Sequence, residues 1–303
     1  MRIGIVDLNT RTPSDASANA LAFEQQGFDT YWLPGGWRDP LTNIAVAGQN
    51  ARSIEMGSAV ACVYGTHPTA AAETALTVNA ALDGRFVFGV GTSHKHMIEG
   101  RFGGTFDKPI RQLREYLTIM DSLFTTGAVD YTGEALGAHT ELRITGVPRP
   151  QVLVAALSDQ SLRVAGHLSD GVLATWCTYR LLSEYTIPMV SAAAAEAGRP
   201  SPRIVASMPV CVNPDVDAAR ALAAEEFGVY GTRYTAYKAV FERQGVPGVA
   251  PLVITGDENA VIEELKRYGD VGVHDFSANP FGTDEQKQRT TALLGELATS
   301  RTL

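Results

Sequence analysis

One segment of the sequence, 84–94, places small residues directly before polar side chains that could bind an anion. Its last part consists of two glycines and three polar residues: Gly89, Gly91, Thr92, Ser93 and His94. The glycines let the backbone approach a ligand or a neighbouring strand, and the free backbone amides that follow could bind a phosphate group. The spacing matches neither a Walker loop nor Gly-x-Gly-x-x-Gly, because position 94 is histidine. The segment is therefore a candidate anion site.

Polar groups also end two other apolar runs. The carboxylate of Asp7 follows the first run, where it could act on a substrate or cap a loop amide. A later run ends in Ala155, Ala156, Leu157 and Ser158. The Ser158 hydroxyl could cap the next helix or meet a phosphate. We predict Asp7 and His94 as the catalytic groups that handle protons.

Small side chains cluster in the third apolar run, at Ala59, Val60, Ala61 and Cys62. A flat ring could approach the backbone closely there, although tight packing between strands explains the same residues equally well. Cys62 could be a nucleophile, but no neighbouring base can be assigned to it. A buried, unreactive thiol is the favoured interpretation.

The segment 94–114 is basic within an acidic chain. It carries five basic and two acidic side chains, a net charge of +3, whereas the whole chain carries −8. Such a segment suits either an anionic ligand or a solvated helix face. His94 and His96 flank Lys95, but no carboxylate lies at helical ligand spacing, so we predict no metal site.

The composition excludes several classes of protein. The chain has 303 residues, of which 45% are hydrophobic, enough for a large core. Its negative charge argues against nucleic-acid binding, and no run of about 18 apolar residues predicts a membrane span. The three cysteines are widely spaced, and the N-terminus lacks the features of a signal peptide. We therefore expect a cytoplasmic protein.

The elements that position these residues alternate between strand and helix. Eight apolar runs predict strands: Arg2–Asp7, Asp29–Leu33, Glu55–Cys62, Arg85–Val90, Val152–Ala156, Gly171–Thr175, Arg203–Val212 and Val271–Ser277. We predict helix caps at Ser14 or Asp15, Asp107, Ser158 and Thr255.

This order predicts an α/β fold, a single-domain (β/α)₈ TIM barrel over residues 1–303. Long connections, 91–151 and 213–270, follow strands 4 and 7 as insertions. The active site of such a barrel lies at the C-terminal ends of its strands, where the candidate residues fall.

Several segments in sequence order resemble those of the luciferase-like monooxygenase superfamily, specifically the branch that uses coenzyme F420, a 5-deazaflavin. The segments that carry the resemblance are Glu24–Asp29, Gly57–Val60, His67–Pro68, Gly84–His94, Ala165–Gly171 and Ala197–Pro200. Each is unspecific alone, whereas the ordered set spans almost the whole chain.

The resemblance implies positions for the cofactor. The family's third strand has a bulge, often with a non-prolyl cis peptide, that backs the deazaflavin ring. This bulge matches Ala59–Val60, with Ala61 and Cys62 beside it. The loop that binds the cofactor chain matches Gly91, Thr92, Ser93 and His94, and the phosphate-binding turn matches Ala155, Ala156, Leu157 and Ser158. A homodimer is also implied, for which the helices around 68–82 and 108–124 could supply a face.

The sequence departs from the family after the second strand. Several deazaflavin members carry an Asp-His pair there, whereas this chain reads Tyr31-Trp32-Leu33-Pro34-Gly35-Gly36-Trp37. A mechanism that uses this histidine is therefore in doubt. Trp37, with Trp176 and Phe281, is predicted to line an apolar substrate pocket.

Three functions remain open at this point. The leading hypothesis is an F420-dependent reductase or dehydrogenase that transfers a hydride between deazaflavin and a small organic substrate. The second is an FMN-dependent monooxygenase that uses oxygen. The third is a barrel that binds a cofactor or partner without turnover.

Overall fold

The apolar runs form strands, and eight of them close into one parallel barrel. The computed structural model describes residues 1–8, 10, 12–36, 38–144 and 146–303. Within these ranges the strands are β1 Arg2–Val6, β2 Thr30–Leu33, β3 Glu55–Ser58, β4 Ala61–Cys62, β5 Phe86–Gly91, β6 Ala128–Thr132, β7 Gly137–Glu141, β8 Gln151–Ala155, β9 Gly171–Thr175, β10 Arg203–Val212, β11 Ile254–Gly256 and β12 Asp275–Pro280.

The barrel order follows the chain, which confirms the predicted TIM barrel. The wall runs β1-β2-β3-β5-β8-β9-β10-β12, and β12 pairs in parallel with β1 to close it. After a break at 59–60, the short β4 continues β3 along β5. The eighth strand begins later than predicted, because Tyr268–Val273 form a turn in which Gly272 has a φ of +91°.

Helices cover the outside of the barrel. In the described ranges they are α1 Pro13–Gln25, α2 Pro40–Asn50, α3 Pro68–Ala81, α4 Lys95–Phe102, α5 Pro109–Thr126, α6 Asp159–Leu168, α7 Tyr179–Leu181, α8 Ile187–Glu196, α9 Val216–Arg233, α10 Thr235–Arg243, α11 Glu258–Asp270 and α12 Asp284–Ser300. A π-helical turn, Leu182–Thr186, joins α7 to α8, and a 3₁₀ turn covers Ala250–Leu252. None of these helices is both long and apolar enough to cross a membrane.

The predicted helix starts are partly wrong. Ser158 caps α6 as predicted, whereas Ser14 or Asp15, Asp107 and Thr255 are replaced as N-caps by Thr12, Lys108 and Asp257. The Lys108 side chain makes no capping bond, and Pro109 starts α5, since the fixed φ of proline suits the first helical position. The apolar stripe of α5 is buried within the chain.

The barrel interior is filled in layers, because alternate side chains of each strand point inward. At the N-terminal ends, Arg203 donates to the carboxylates of Glu55 at 2.6 Å and Asp275 at 2.7 Å. Above this ionic layer lies an apolar one formed by Val6, Trp32, Val87, Leu153, Leu173 and Val205. These two layers fill the barrel interior toward the N-terminal ends of the strands.

Two insertions rise at the C-terminal ends of the strands, as the sequence predicts. The first follows β5 and contains α4, α5 and the antiparallel β6–β7 hairpin. The second follows β10 and contains α9, α10 and β11, which pairs with the last residues of β10. Together these insertions shape the mouth of the barrel.

Candidate functional site

A cavity of about 600 Å³ opens at the C-terminal ends of β5 and β8. The loop after β5, the first turn of α6, α5 and the α9–α10 junction enclose it. Eight predicted cofactor residues line it: Val60, Gly91, Thr92, Ser93, His94, Ala155, Leu157 and Ser158. The structure therefore brings three segments that are distant in sequence into one site.

The floor of this cavity is made of small groups. The peptide between Ala59 and Val60 is cis, as the resemblance predicted. A Cβ added to Gly91 would lie 2.8 Å from Cγ2 of Val60 and 3.2 Å from Cβ of Ala155. Any side chain at position 91 would therefore fill the floor between the cis peptide and β8.

The first turn of α6 borders the cavity and is a candidate anion site. The Ser158 hydroxyl accepts a hydrogen bond from the Ser161 amide at 3.3 Å, and both side chains line the cavity. A helix N-terminus carries partial positive charge and unpaired amides, which favour a phosphate. Lys95 and Arg233 add cationic groups to the lining.

The basic segment 94–114 does not form one patch. Lys95 lies at the cavity and pairs with Glu99 at 3.7 Å. Arg101 faces a different cavity, and Arg111 pairs with Glu134 of the hairpin. Part of the positive charge predicted for the site comes instead from Arg233, at the end of α9.

His94 lies in the cavity wall as a neutral imidazole. Burial, and then the nearby His96, lower its pKa from 6.5 to about 4. Its ring lies 4.3 Å from the ring of Tyr234 and 5.3 Å from that of Tyr237, measured between centroids. Among the described residues, no group of three or more His, Cys, Asp or Glu side chains is arranged to hold a metal ion.

Asp7 lies outside the cavity lining. Because Val6 faces the barrel interior, the alternation turns Asp7 outward toward α1. Its Oδ2 accepts hydrogen bonds from Thr10 and from Asn19, the latter at 2.7 Å, and Tyr31 lies 3.5 Å away. These contacts tie the end of β1 to α1 and β2, and a catalytic role for Asp7 stays a prediction.

The three predicted pocket aromatics have different surroundings. Trp176 is buried under α9 and α10, with its ring 4.5 Å from Tyr237 and 4.6 Å from Tyr230. Phe281 is fully buried against Phe227. Both lie in an aromatic cluster behind the cavity rather than in its lining, and Trp37 lies outside the described residues.

The sequence interpretation missed the tyrosines that do line the cavity. Tyr234 and Tyr237 come from the junction of α9 and α10. Their i, i+3 spacing next to a helix predicts a shared face. Nothing local indicates that this face covers the loop after β5, since that contact depends on how the second insertion folds back.

The remaining predicted cofactor residues face other directions. Ala61 and Cys62 line a second cavity of about 260 Å³ on the other side of β4. Burial raises the pKa of the Cys62 thiol, so the thiol stays protonated and is a poor nucleophile. Ala59 packs with the barrel interior, and Ala156 is buried in the outer core.

Comparisons with known proteins agree with this geometry. A family model described as luciferase-like monooxygenase matches residues 1–275. A 5,10-methylenetetrahydromethanopterin reductase of Archaeoglobus fulgidus is 28% identical over 304 residues, covering 87% of this chain and 89% of the relative. An F420-dependent glucose-6-phosphate dehydrogenase of Nocardia farcinica is 24% identical over 299 residues, covering 88% of each chain.

Solved structures share the fold along the whole chain. The coenzyme F420 dependent tetrahydromethanopterin reductase from Methanopyrus kandleri superposes with a TM-score of 0.83 at 19% identity, covering 100% of this chain and 99% of that one. The FMN-bound oxygenating constituent of 3,6-diketocamphane monooxygenase from Pseudomonas putida gives 0.78 at 16% identity, with coverage of 100% and 99%. Because the family model matches most of its length, this chain belongs to the luciferase-like monooxygenase family, and it is an oxidoreductase.

Proposed function

We propose that this protein is an F420-dependent oxidoreductase that transfers a hydride between the bound deazaflavin and a small organic substrate. The observation that carries the proposal is the cavity that joins the Ala59–Val60 floor to the first turn of α6. Curated relatives that cover most of the chain include an enzyme named as F420-dependent.

The residues present fit such a cofactor. The cavity volume of about 600 Å³ is typical of small-molecule sites. A ring needs a floor without side chains, and Gly91 supplies one that a methyl group would fill. A phosphate-bearing chain needs amides and cations, which the start of α6, Lys95 and Arg233 supply.

The deazaflavin, when bound, supplies a ring carbon that exchanges hydride with the substrate. The protein's own residues bind, orient and exclude water. Val60, Gly91 and Ala155 would support the ring, and Tyr234 and Tyr237, at the start of α10, line the same cavity. Because burial lowers the pKa of His94 to about 4, its imidazole is neutral at pH 7 and would offer one N–H donor and one nitrogen acceptor for hydrogen bonds to a bound molecule.

An FMN-dependent monooxygenase is the second candidate function. Its supporting observation is the FMN-bound structure that shares this fold. The start of α6 would serve the phosphate of FMN as well as that of F420. The two cations at the cavity, Lys95 and Arg233, outnumber its carboxylate, Glu99, which favours the longer polyanionic chain of the deazaflavin.

The test is a fluorescence titration of the purified protein with F420 and, separately, with FMN, at low and high salt. We expect tight F420 binding that weakens with salt, and weak FMN binding. Tight FMN binding together with substrate-dependent oxygen uptake would replace the proposal by the second candidate. Binding of neither would contradict the assignment of the cavity.

A matched pair of glycine variants locates the ring. Gly91→Ala should weaken F420 binding about tenfold or more, since a methyl on the crowded floor displaces the ring. Gly228→Ala is the control, because a Cβ at position 228 of α9 would meet nothing within 4 Å. Equal affinity of the two variants would place the ring elsewhere.

A further inference from the structure

The mouth of the barrel has an apolar half and a polar half. The apolar half, on β1, β5 and β8 and in the break between β3 and β4, contains Val6, Ala59, Val60, Gly91 and Ala155. The polar half, on β9, β10 and β12, contains Thr175, Ser207, Ser277 and Asn279. Val60 and Ala155 pack against the interior cluster and also line the cofactor cavity, so the apolar half of the mouth adjoins the cavity.

Strand alternation turns the four polar side chains inward. Leu173 and Val205 belong to the interior cluster, so Thr175 and Ser207, two residues further along the same strands, face the same way. Phe276 and Ala278 belong to the outer core, which leaves Ser277 and Asn279 for the interior.

The register brings these residues side by side. The Cα of Ser207 is paired with the Cα atoms of both Thr175 and Ser277. Paired strands lie about 4.8 Å apart. One small polar atom of a ligand could therefore meet hydroxyls from two or three strands at once.

These groups have no partners within the described part of the chain. Thr175, Ser207, Ser277 and Asn279 make no side-chain hydrogen bond there, although buried polar groups in proteins are normally paired. Thr175, Ser207 and Asn279 are partly exposed at the mouth.

A fifth polar group adjoins them and is also unpaired. Trp32 is fully buried, and its indole Nε1 has no hydrogen-bond partner within the described ranges. That nitrogen lies 2.8 Å from where a Cβ on Gly4 would be, and the Cα of Gly4 is paired with that of Ser277. The β1–β12 side of the interior therefore contains several described polar groups that have no hydrogen-bond partner.

Among the described residues, the inward-facing positions of β9, β10 and β12 beyond Arg203 and Asp275 carry no formal charge. The charged interior residues, Arg203, Glu55 and Asp275, bond to one another at the opposite end of the strands. A charged substrate group placed against Thr175 and Ser207 would lose its hydration without gaining a counter-ion, which is costly. An uncharged carbonyl or hydroxyl would gain hydrogen bonds there.

Building on the function proposed above, we propose that Thr175 and Ser207, with Asn279, bind the oxygen of an uncharged carbonyl or alcohol substrate and determine specificity for it. Thr175, Ser207 and Asn279 offer no counter-ion to a phosphorylated or carboxylated substrate. These residues orient the substrate opposite the Ala59–Val60 floor.

The test compares matched neutral and anionic probes on F420-loaded protein. Cyclohexanone and cyclohexanol form the neutral pair, and cyclohexanecarboxylate and cyclohexyl phosphate the anionic pair. Saturation-transfer NMR gives the four dissociation constants. We expect the neutral pair to bind, and Thr175→Val and Ser207→Ala each to weaken that binding about three- to tenfold, the range for one lost hydrogen bond.

The control is Thr140→Val, at an exposed position of the β6–β7 hairpin that does not line the cofactor cavity, which should leave every probe affinity unchanged. Thr175→Val and Ser207→Ala should also keep the wild-type melting temperature, because no hydrogen bond within the protein is lost. If the two side chains had a structural role instead, the same substitutions would lower the melting temperature.

Three results would overturn the inference: tighter binding of the anionic pair, neutral binding that is unaffected by both variants, or binding of neither pair. The F420 titration reports separately on the proposed function, since the variants should bind F420 as the wild type does. If F420 does not bind, the same probe contrast on FMN-loaded protein decides between a neutral and an anionic site.

Discussion

The two ends of the barrel interior use polar residues in opposite ways. At the N-terminal end, buried and half-buried charged side chains are bonded to one another: Arg203 bridges Glu55 and Asp275, and Arg2 lies 3.2 Å from Glu55. At the C-terminal end, neutral side chains such as Thr175 and Ser207 face an open mouth without partners.

This difference separates stability from binding. A satisfied ionic layer offers nothing to a ligand and is strongly destabilising when one member is removed. An unsatisfied neutral layer contributes little to stability but can donate and accept hydrogen bonds. Candidate sites usually lie at the C-terminal ends of the strands in this fold. In this protein the polar groups at the N-terminal ends are already paired with one another, whereas those at the C-terminal ends are not.

Removing the central cation of the ionic layer should have the largest effect. Arg203→Met leaves the carboxylates of Glu55 and Asp275 buried without their main partner, and the free energy of unfolding should fall by about 3–5 kcal/mol. Urea denaturation at pH 7 measures it.

A surface pair serves as the control for this loss. Arg289 donates to Glu258 at 2.6 Å, but both side chains are more than 40% exposed. Arg289→Met should therefore cost less than about 1 kcal/mol. Similar losses in the two variants would show that the ionic layer is no more important for stability than a surface ion pair.

The stability gap between Arg203→Met and wild type should narrow on acidification. In the wild type, burial opposes ionisation of Glu55, but the hydrogen bonds and charge of Arg203 outweigh burial and hold the Glu55 pKa below its usual value of 4.5. The stability that this pair contributes is present above pH 4.5 and is lost as the pH falls through the lowered pKa.

In the variant, only Arg2 still opposes the effect of burial, so the Glu55 pKa should rise relative to the wild type, and protonation should relieve the unpaired charge as the pH falls. Urea midpoints at pH 7, 5.5 and 4.5 measure the gap. A stability gap that stays constant over this pH range would mean that the ionisation of Glu55 does not depend on Arg203. The gap for Arg289→Met should change little over this range.

The sequence predicted the scaffold better than the site because the scaffold depends on local signals. Apolar runs located all eight barrel strands, and Ser158 was identified as the cap of α6. The other caps failed where several capping residues stand together, as Thr12, Ser14 and Asp15 do, since backbone geometry selects among them.

Site residues depended on contacts between distant segments. Gly91 and Ser158 could be predicted because they follow strands directly. Asp7 follows a strand too, yet the alternation set by Val6 turns it outward. Tyr234 and Tyr237 reach the cavity only because the second insertion folds over the first, which no local pattern encodes.

The smallest expected effect concerns His94, which connects the two halves of the comparison because it is a titratable group at the neutral end. Burial keeps its imidazole unprotonated, with a pKa of about 4. Its proton NMR titration should therefore show an inflection near pH 4, and kcat/KM should show no acid limb from this group between pH 5 and 8. Because the folded pKa is lowered, protonation of His94 should destabilise the fold only as the pH falls below about 6.5.

His96→Gln should move the inflection slightly upward, since the charge of His96 is the second cause of the shift. His139→Gln, on the exposed β6–β7 hairpin, is the control and should not move it. An inflection near the ordinary value of 6.5 would mean that water reaches His94 freely and that the cavity wall around His94 does not bury its imidazole.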